Sequence, residues 1–211
     1  MSLGIPQNAN KITRTPMSVR TKESLDAWLK YGTVFLIYRL CTYYFTEYDN
    51  VNAELFDAES LQIILFILIG FTIYYMLVKP YVPLNFEHPI FQNVASDTLM
   101  FGTVLVTSHI LDIYMNNGDA FNADWLKTSG IILLAFAAYE VFINPFVPLT
   151  SVSPSSKPVV EDWLKFGSFL VFARLLQGRS VLDQQWILTV LFVLLGFTGY
   201  HLVTKRLLNN F

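Results

Sequence analysis

The sequence predicts an all-α, polytopic membrane protein: six transmembrane helices built as three tandem two-helix hairpin repeats, both termini on the same, positive-inside side. Three observations carry this. Of 211 residues, 54% are hydrophobic and only 14% charged, whereas a soluble domain carries roughly a quarter charged residues. The apolar residues fall in long blocks. The blocks also recur in register, at a period that only a repeat explains.

The polar stretch 1–24 comes first, with Lys11, Arg14, Arg20 and Lys22. It lacks the apolar core of a signal peptide, and Pro6 and Pro16 argue against an amphipathic targeting helix. It reads as a basic N-terminal tail. Repeat 1 (25–84) then opens with "DAWLKYGTVFLIYRL" (26–40). "SDTLMFGTVLVTSHI" (96–110) opens repeat 2 (94–149), and "EDWLKFGSFLVFARL" (161–175) opens repeat 3 (159–211). These segments align without a gap, so Gly32, Gly102 and Gly167 coincide, as do Arg39, His109 and Arg174.

The second helix of each hairpin is more apolar. "LQIILFILIGFTIYYMLV" (61–78) carries no charge, the signature of a membrane span. "GFTIYYMLVK" (70–79), "AFAAYEVFIN" (135–144) and "GFTGYHLVTK" (196–205) share the Phe and Tyr positions. Gly70 and Gly196 coincide there, with Ala135 between them. The first segments are doubtful spans by themselves, Lys165 and Arg174 being close together. Parity settles it: equivalent second helices run the same way, so the first segments must carry the chain back. Small residues let membrane helices approach closely, and the five aligned glycines are read as packing positions.

Near-identical phrases, "VKPYVPLN" (78–85) and "INPFVPLT" (143–150), close the first two hairpins. Proline cannot continue a helix and disfavours helix in the residue before it. Pro80, Pro83, Pro145 and Pro148 therefore act as helix stops, and 150–158 forms a linker. Lys and Arg gather in the tail, the inter-hairpin links and the C-terminus, while the loop 46–59 is acidic. That asymmetry sets the orientation.

Ionisable residues inside a span are functional hypotheses. Arg39, His109 and Arg174 suggest either a ring round a threefold axis or pairing within each hairpin. Asp57, Asn122 and Asp183 align at the starts of the second helices, where Asp and Asn cap well, so pairing is favoured. Tyr75, Glu140 and His201 form a second aligned set, read as an interfacial belt whose polar tips reach water rather than a proton relay. His109 and Asp112 share a helix face, but no third metal ligand accompanies them. Thr107 or Ser108 beside His109 is the one nucleophile–base candidate, and sequence neighbours on a helix do not face each other.

The chain has one cysteine, Cys41, which excludes an intrachain disulfide or a Cys-rich metal site. A formal net charge of −2 without a basic patch gives no footprint for nucleic acid. The expectation is a non-enzymatic structural subunit, without cofactor, catalytic or metal-binding residues, embedded in a lipid bilayer. Its protein partners would meet residues 1–24 and the acidic loop 46–59, and self-association is open to it. The Asn- and aromatic-rich texture of "YMNNGDAFNADW" (114–125) inclines this toward a virion internal membrane, as a minor capsid-associated component. The alternatives are a small pseudo-threefold transporter or channel, and an accessory subunit of an organellar membrane complex.

Overall fold

A computed structural model describes residues 18–47, 54–82, 84–116, 118 and 120–208. Among the described residues there are no strands. Six long helices follow one another: α1 (Val19–Thr42), α2 (Ala58–Ile73), α3 (Pro89–Asn116), α4 (Ala123–Phe142), α5 (Lys157–Leu176) and α6 (Gln184–Gly199). A last turn, α7 (Lys205–Leu208), follows.

Their boundaries follow local chemistry. Ser18, Asp57, Asn122 and Asp183 cap α1, α2, α4 and α6, each side chain accepting from a backbone N–H two or three residues on. These bonds satisfy donors that a helix start leaves unpaired. Pro89 opens α3, where its missing N–H costs nothing. Gly178, with φ 68°, turns the chain after α5 in a conformation that disfavours a side chain.

α2 and α6 both finish in a wider π-type turn, Tyr74–Val78 and Tyr200–Thr204. In the first, the Lys79 N–H reaches back five residues to the Tyr74 carbonyl at 2.8 Å. The helical run ends there, directly before Pro80. α4 ends at Phe142, and Pro145 sits in a short 3-10 turn, with Pro148 extended beyond it. Pro83 lies outside the described residues.

Helices begin earlier than the sequence boundaries proposed. α1 starts at Val19, inside the stretch read as tail, and α3 starts five residues before position 94. α5 starts at Lys157, within the linker 150–158. α1 opens with a polar turn that composition hides, whereas α3 and α5 carry a proline in the first turn, Pro89 and Pro158, where it suits a helix start.

Among the described residues, four segments are long and apolar enough to cross a membrane: Ala58–Val78, Pro89–Asn116, Ala123–Phe146 and Gln184–Thr204. α1 and α5 are not among them. α1 carries Asp26 and Lys30, and α5 carries Asp162 and Lys165. These charges are satisfied inside the bundle, which hydropathy does not credit.

Each helix packs against the next, and α1 packs against both α2 and α6, so the six close into a ring. Thr33 on α1 and Thr204 beyond α6 share a hydrogen bond of 3.0 Å across this closure. The core lies at the middle of the ring, built on Phe71, Phe101, Phe136, Phe166 and Phe197 with Tyr31 packed against them.

Candidate functional site

The centre of the ring is a layer of six aromatic rings, one from each helix. Tyr31 stacks on Phe71 at 4.2 Å, Phe101 on Phe136 at 3.9 Å, and Phe166 on Phe197 at 4.3 Å. The pairs then meet edge to face: Tyr31 and Phe101 each approach Phe166, at 6.1 and 6.3 Å, and Phe71 approaches Phe101 at 6.3 Å. Stacked and edge-on geometries are the favourable ones for aromatic quadrupoles. Tyr31, Phe101 and Phe166 each directly precede an aligned glycine, so one position in the sequence supplies half the layer.

On the side where α1 begins lies a cluster of charges. Lys30 Nζ meets Asp162 Oδ1 at 2.6 Å, and His201 Nε2 meets Asp162 Oδ2 at 2.6 Å. Lys165 Nζ holds both oxygens of Asp97, at 2.7 and 2.5 Å, and lies 3.5 Å from Glu140. Tyr200 donates to Asp26. Glu140 also accepts from Asn93 (3.1 Å) and Asn144 (2.7 Å). Buried charges persist only when paired and hydrogen-bonded, and here every carboxylate has a donor. Lys30 adds a cation–π contact, 5.5 Å from the Phe197 centroid.

This cluster corrects the belt expected for Tyr75, Glu140 and His201. Glu140 is only 4% exposed and sits among partners from α3, α5 and the turn that follows α4. His201 turns inward to Asp162 from the π-type turn, and the Tyr75 hydroxyl donates to Met100 sulfur at 3.7 Å. Their polar ends find partners in the bundle rather than in water. Asp26, Lys30, Asp97 and Asp162 belong to no motif in the sequence. A signal existed: aligned columns hold Ala27, Asp97 and Asp162, and Lys30, Met100 and Lys165, so a charge recurs in two copies of three.

Arg39, His109 and Arg174 stand in the other half of the bundle and do not form a ring. Arg39 pairs with Asp57 at 3.0 Å and also donates to the carbonyls of Glu54 and Leu55. Arg174 pairs with Asp183 at 2.9 Å. Bonds from the Ser60 backbone N–H (2.7 Å) and hydroxyl (2.8 Å), with Arg39 adding to them, hold the Asp57 carboxyl below the usual carboxylate range. His109 departs from this pattern. Asn122 caps α4 as Asp57 and Asp183 cap their helices but carries no charge, and the imidazole stacks on Trp125 at 4.7 Å with Phe121 edge-on at 4.6 Å.

The glycines divide. A Cβ on Gly70 would lie 2.8 Å from Val104 Cα, and one on Gly196 would lie 2.7 Å from Val34 Cα. Backbones approach closely at both. Packing is not the explanation for Gly32 and Gly102, where nothing lies within 4 Å of that position, and Gly167 meets only Leu194 at 3.9 Å. Gly102 instead lines an outer hollow of about 740 Å³ between the end of α2 and α3, which carries no ionisable group.

Two cavities flank the aromatic layer. One, of about 160 Å³, lies among the charges and is lined by Asp26, Lys30, Asp162 and Lys165. The other, of about 580 Å³, lies on the opposite side, with Glu59, Gln62, Asp112 and Asn116 among its lining. Tyr31, Phe101 and Phe166 line both. Among the described residues no group of His, Cys, Asp and Glu has the arrangement of a metal site. No protein-family model, curated protein or solved structure matches the chain.

Proposed function

We propose that the chain is a non-enzymatic structural subunit of a larger assembly, integral to a membrane that it crosses six times. Three hairpins surround a pseudo-threefold axis, and both termini lie on the positive-inside side. The observation that carries this reading is the aromatic layer across the middle of the ring. It fills the axis that a solute would follow, and the charges beside it are spent on each other. The repeat is supported by contacts that recur at aligned positions: Gly70–Val104 with Gly196–Val34, Lys30–Asp162 with Lys165–Asp97, and Arg39–Asp57 with Arg174–Asp183.

In such a subunit, partners would meet residues 1–24 and the loop 46–59. A virion internal membrane, with the chain as a minor capsid-associated component, is the setting favoured by its composition, and an organellar complex is the other. The test is photo-cross-linking from positions 10 and 54 in native membranes, combined with solute flux in proteoliposomes. Discrete protein adducts with no flux are expected. Flux without adducts would replace this reading with a transporter, which the two cavities abutting one aromatic layer favour.

A further inference from the structure

The larger cavity is unlike the rest of the bundle. Its volume of about 580 Å³ falls within the range of small-molecule sites. Its floor is aromatic, with Phe71, Phe101, Phe136 and Phe166. Two polar atoms on its wall lack hydrogen-bond partners although buried: Ser108 Oγ and His109 Nε2. Buried polar groups are almost always satisfied, so an orphan on a cavity wall calls for a ligand or water. The cavity also carries Glu59 and Asp112 but neither Lys nor Arg. Among the described residues, neither carboxylate forms a salt bridge. Lys30 and Lys165 face the carboxylates beside the small cavity, whereas here, among the described residues, Asp112 accepts only from the Asn116 amide, at 2.9 Å, and no cation faces either carboxylate.

From this we infer that the cavity binds an amphiphilic cation, a single apolar body ending in an ammonium group. The apolar body lies on the aromatic floor. The ammonium stands at the end away from the aromatic layer, opposite Glu59 and Asp112 and beside Trp125, whose ring completes a cation–π contact. Ser108 turns about χ1 and His109 presents Nε2, so polar atoms next to the head group acquire the partners they lack. Burial of the apolar body drives binding, and the uncompensated carboxylates select the sign of the head group. An alkyl sulfate of the same length is rejected by like charge. An alkyl alcohol binds through the floor alone.

The experiment uses the full chain in nanodiscs, followed by thermal unfolding. The probes are decylammonium, whose N–H groups can donate to Ser108 and His109, decanol and decyl sulfate, below their aggregation concentrations. A ligand that binds only the folded state raises the midpoint saturably. A saturable rise is expected for decylammonium at concentrations at least tenfold below those needed for decanol, with none for decyl sulfate. The double substitution Glu59→Gln/Asp112→Asn should remove that tenfold preference and leave decanol unchanged. Ser108→Phe should obstruct the cavity beside His109 and weaken the response to both. Equal responses to the three probes in the unsubstituted protein, or no saturable response, would overturn the proposal whatever the variants do. A preference that survives the double substitution would overturn the role of the carboxylates. None of these readouts depends on whether the protein scaffolds an assembly.

Discussion

Lys30 and Asp162 meet at 2.6 Å across the ring, though 132 residues separate them. The contact joins the first helix to the fifth, which are not neighbours in the ring, so it braces the bundle through its interior. Asp162 also holds His201, while Lys30 has no second carboxylate within salt-bridge distance among the described residues.

The two halves of this pair should therefore respond unequally. Removing one member of a buried pair costs about 3–5 kcal/mol when the other charge is stranded. Asp162→Asn strands Lys30 and is expected near that range. Lys30→Met leaves Asp162 on His201, and the aligned position already holds Met100, so it should cost about half as much. Thermal or denaturant unfolding in one detergent ranks them, and the opposite order would refute the bracing role of Asp162.

Glycine substitutions separate close approach from mere alignment. Gly70→Ala and Gly196→Ala put a methyl group against the backbone of Val104 and Val34, and overpacking of this kind costs about 1–3 kcal/mol. Gly32→Ala and Gly102→Ala meet open space and should be neutral, or stabilising by up to about 1 kcal/mol through helix propensity. Unfolding midpoints for the four variants decide this.

Phe101 touches the layer from several sides, stacking on Phe136 and meeting Phe71 and Phe166 edge to face. Phe101→Ala should destabilise by about 3–5 kcal/mol. It should also join the two cavities that the ring separates. Proteoliposomes carrying this variant are expected to leak small ions while the unsubstituted protein does not. Equal permeability would mean that the remaining rings keep the axis closed.

Acid should loosen the α1–α2 hairpin through Asp57. Its folded carboxyl titrates below the ordinary value, chiefly because Ser60 hydrogen-bonds the charged form. The unfolded chain therefore takes up the proton first as pH falls. The stabilisation is complete above about pH 4 and drains away as pH drops through the lower folded value. Asp57→Asn keeps a capping side chain and should flatten the acid limb of the stability profile between about pH 4 and 2. An unchanged limb would assign acid sensitivity to other carboxylates.

Much of this architecture is legible along the chain because it rests on local chemistry. Asp57, Asn122 and Asp183 cap helices by bonding to the next turn, and Pro80 and Pro145 stand where helices stop. Arg39 and Arg174 find Asp57 and Asp183 across a short hairpin, so alignment alone suggests those pairs. Long apolar runs mark α2, α4 and α6 outright. The aromatic before each aligned glycine already identifies three members of the central layer, though not that they would meet.

What only the tertiary structure decided concerns partners distant in sequence. A glycine packs closely only if another backbone reaches it, and Val104 and Val34 do so for Gly70 and Gly196 while nothing does for Gly32 or Gly102. Glu140 looked suited to the water interface, yet Asn93, Asn144 and Lys165 enclose it. Lys30 and Asp162 lower the apparent apolarity of α1 and α5, and each becomes tolerable inside only because the ring brings the other to it. Hydropathy and periodicity sum over neighbours in sequence. A buried charge is settled by neighbours in space.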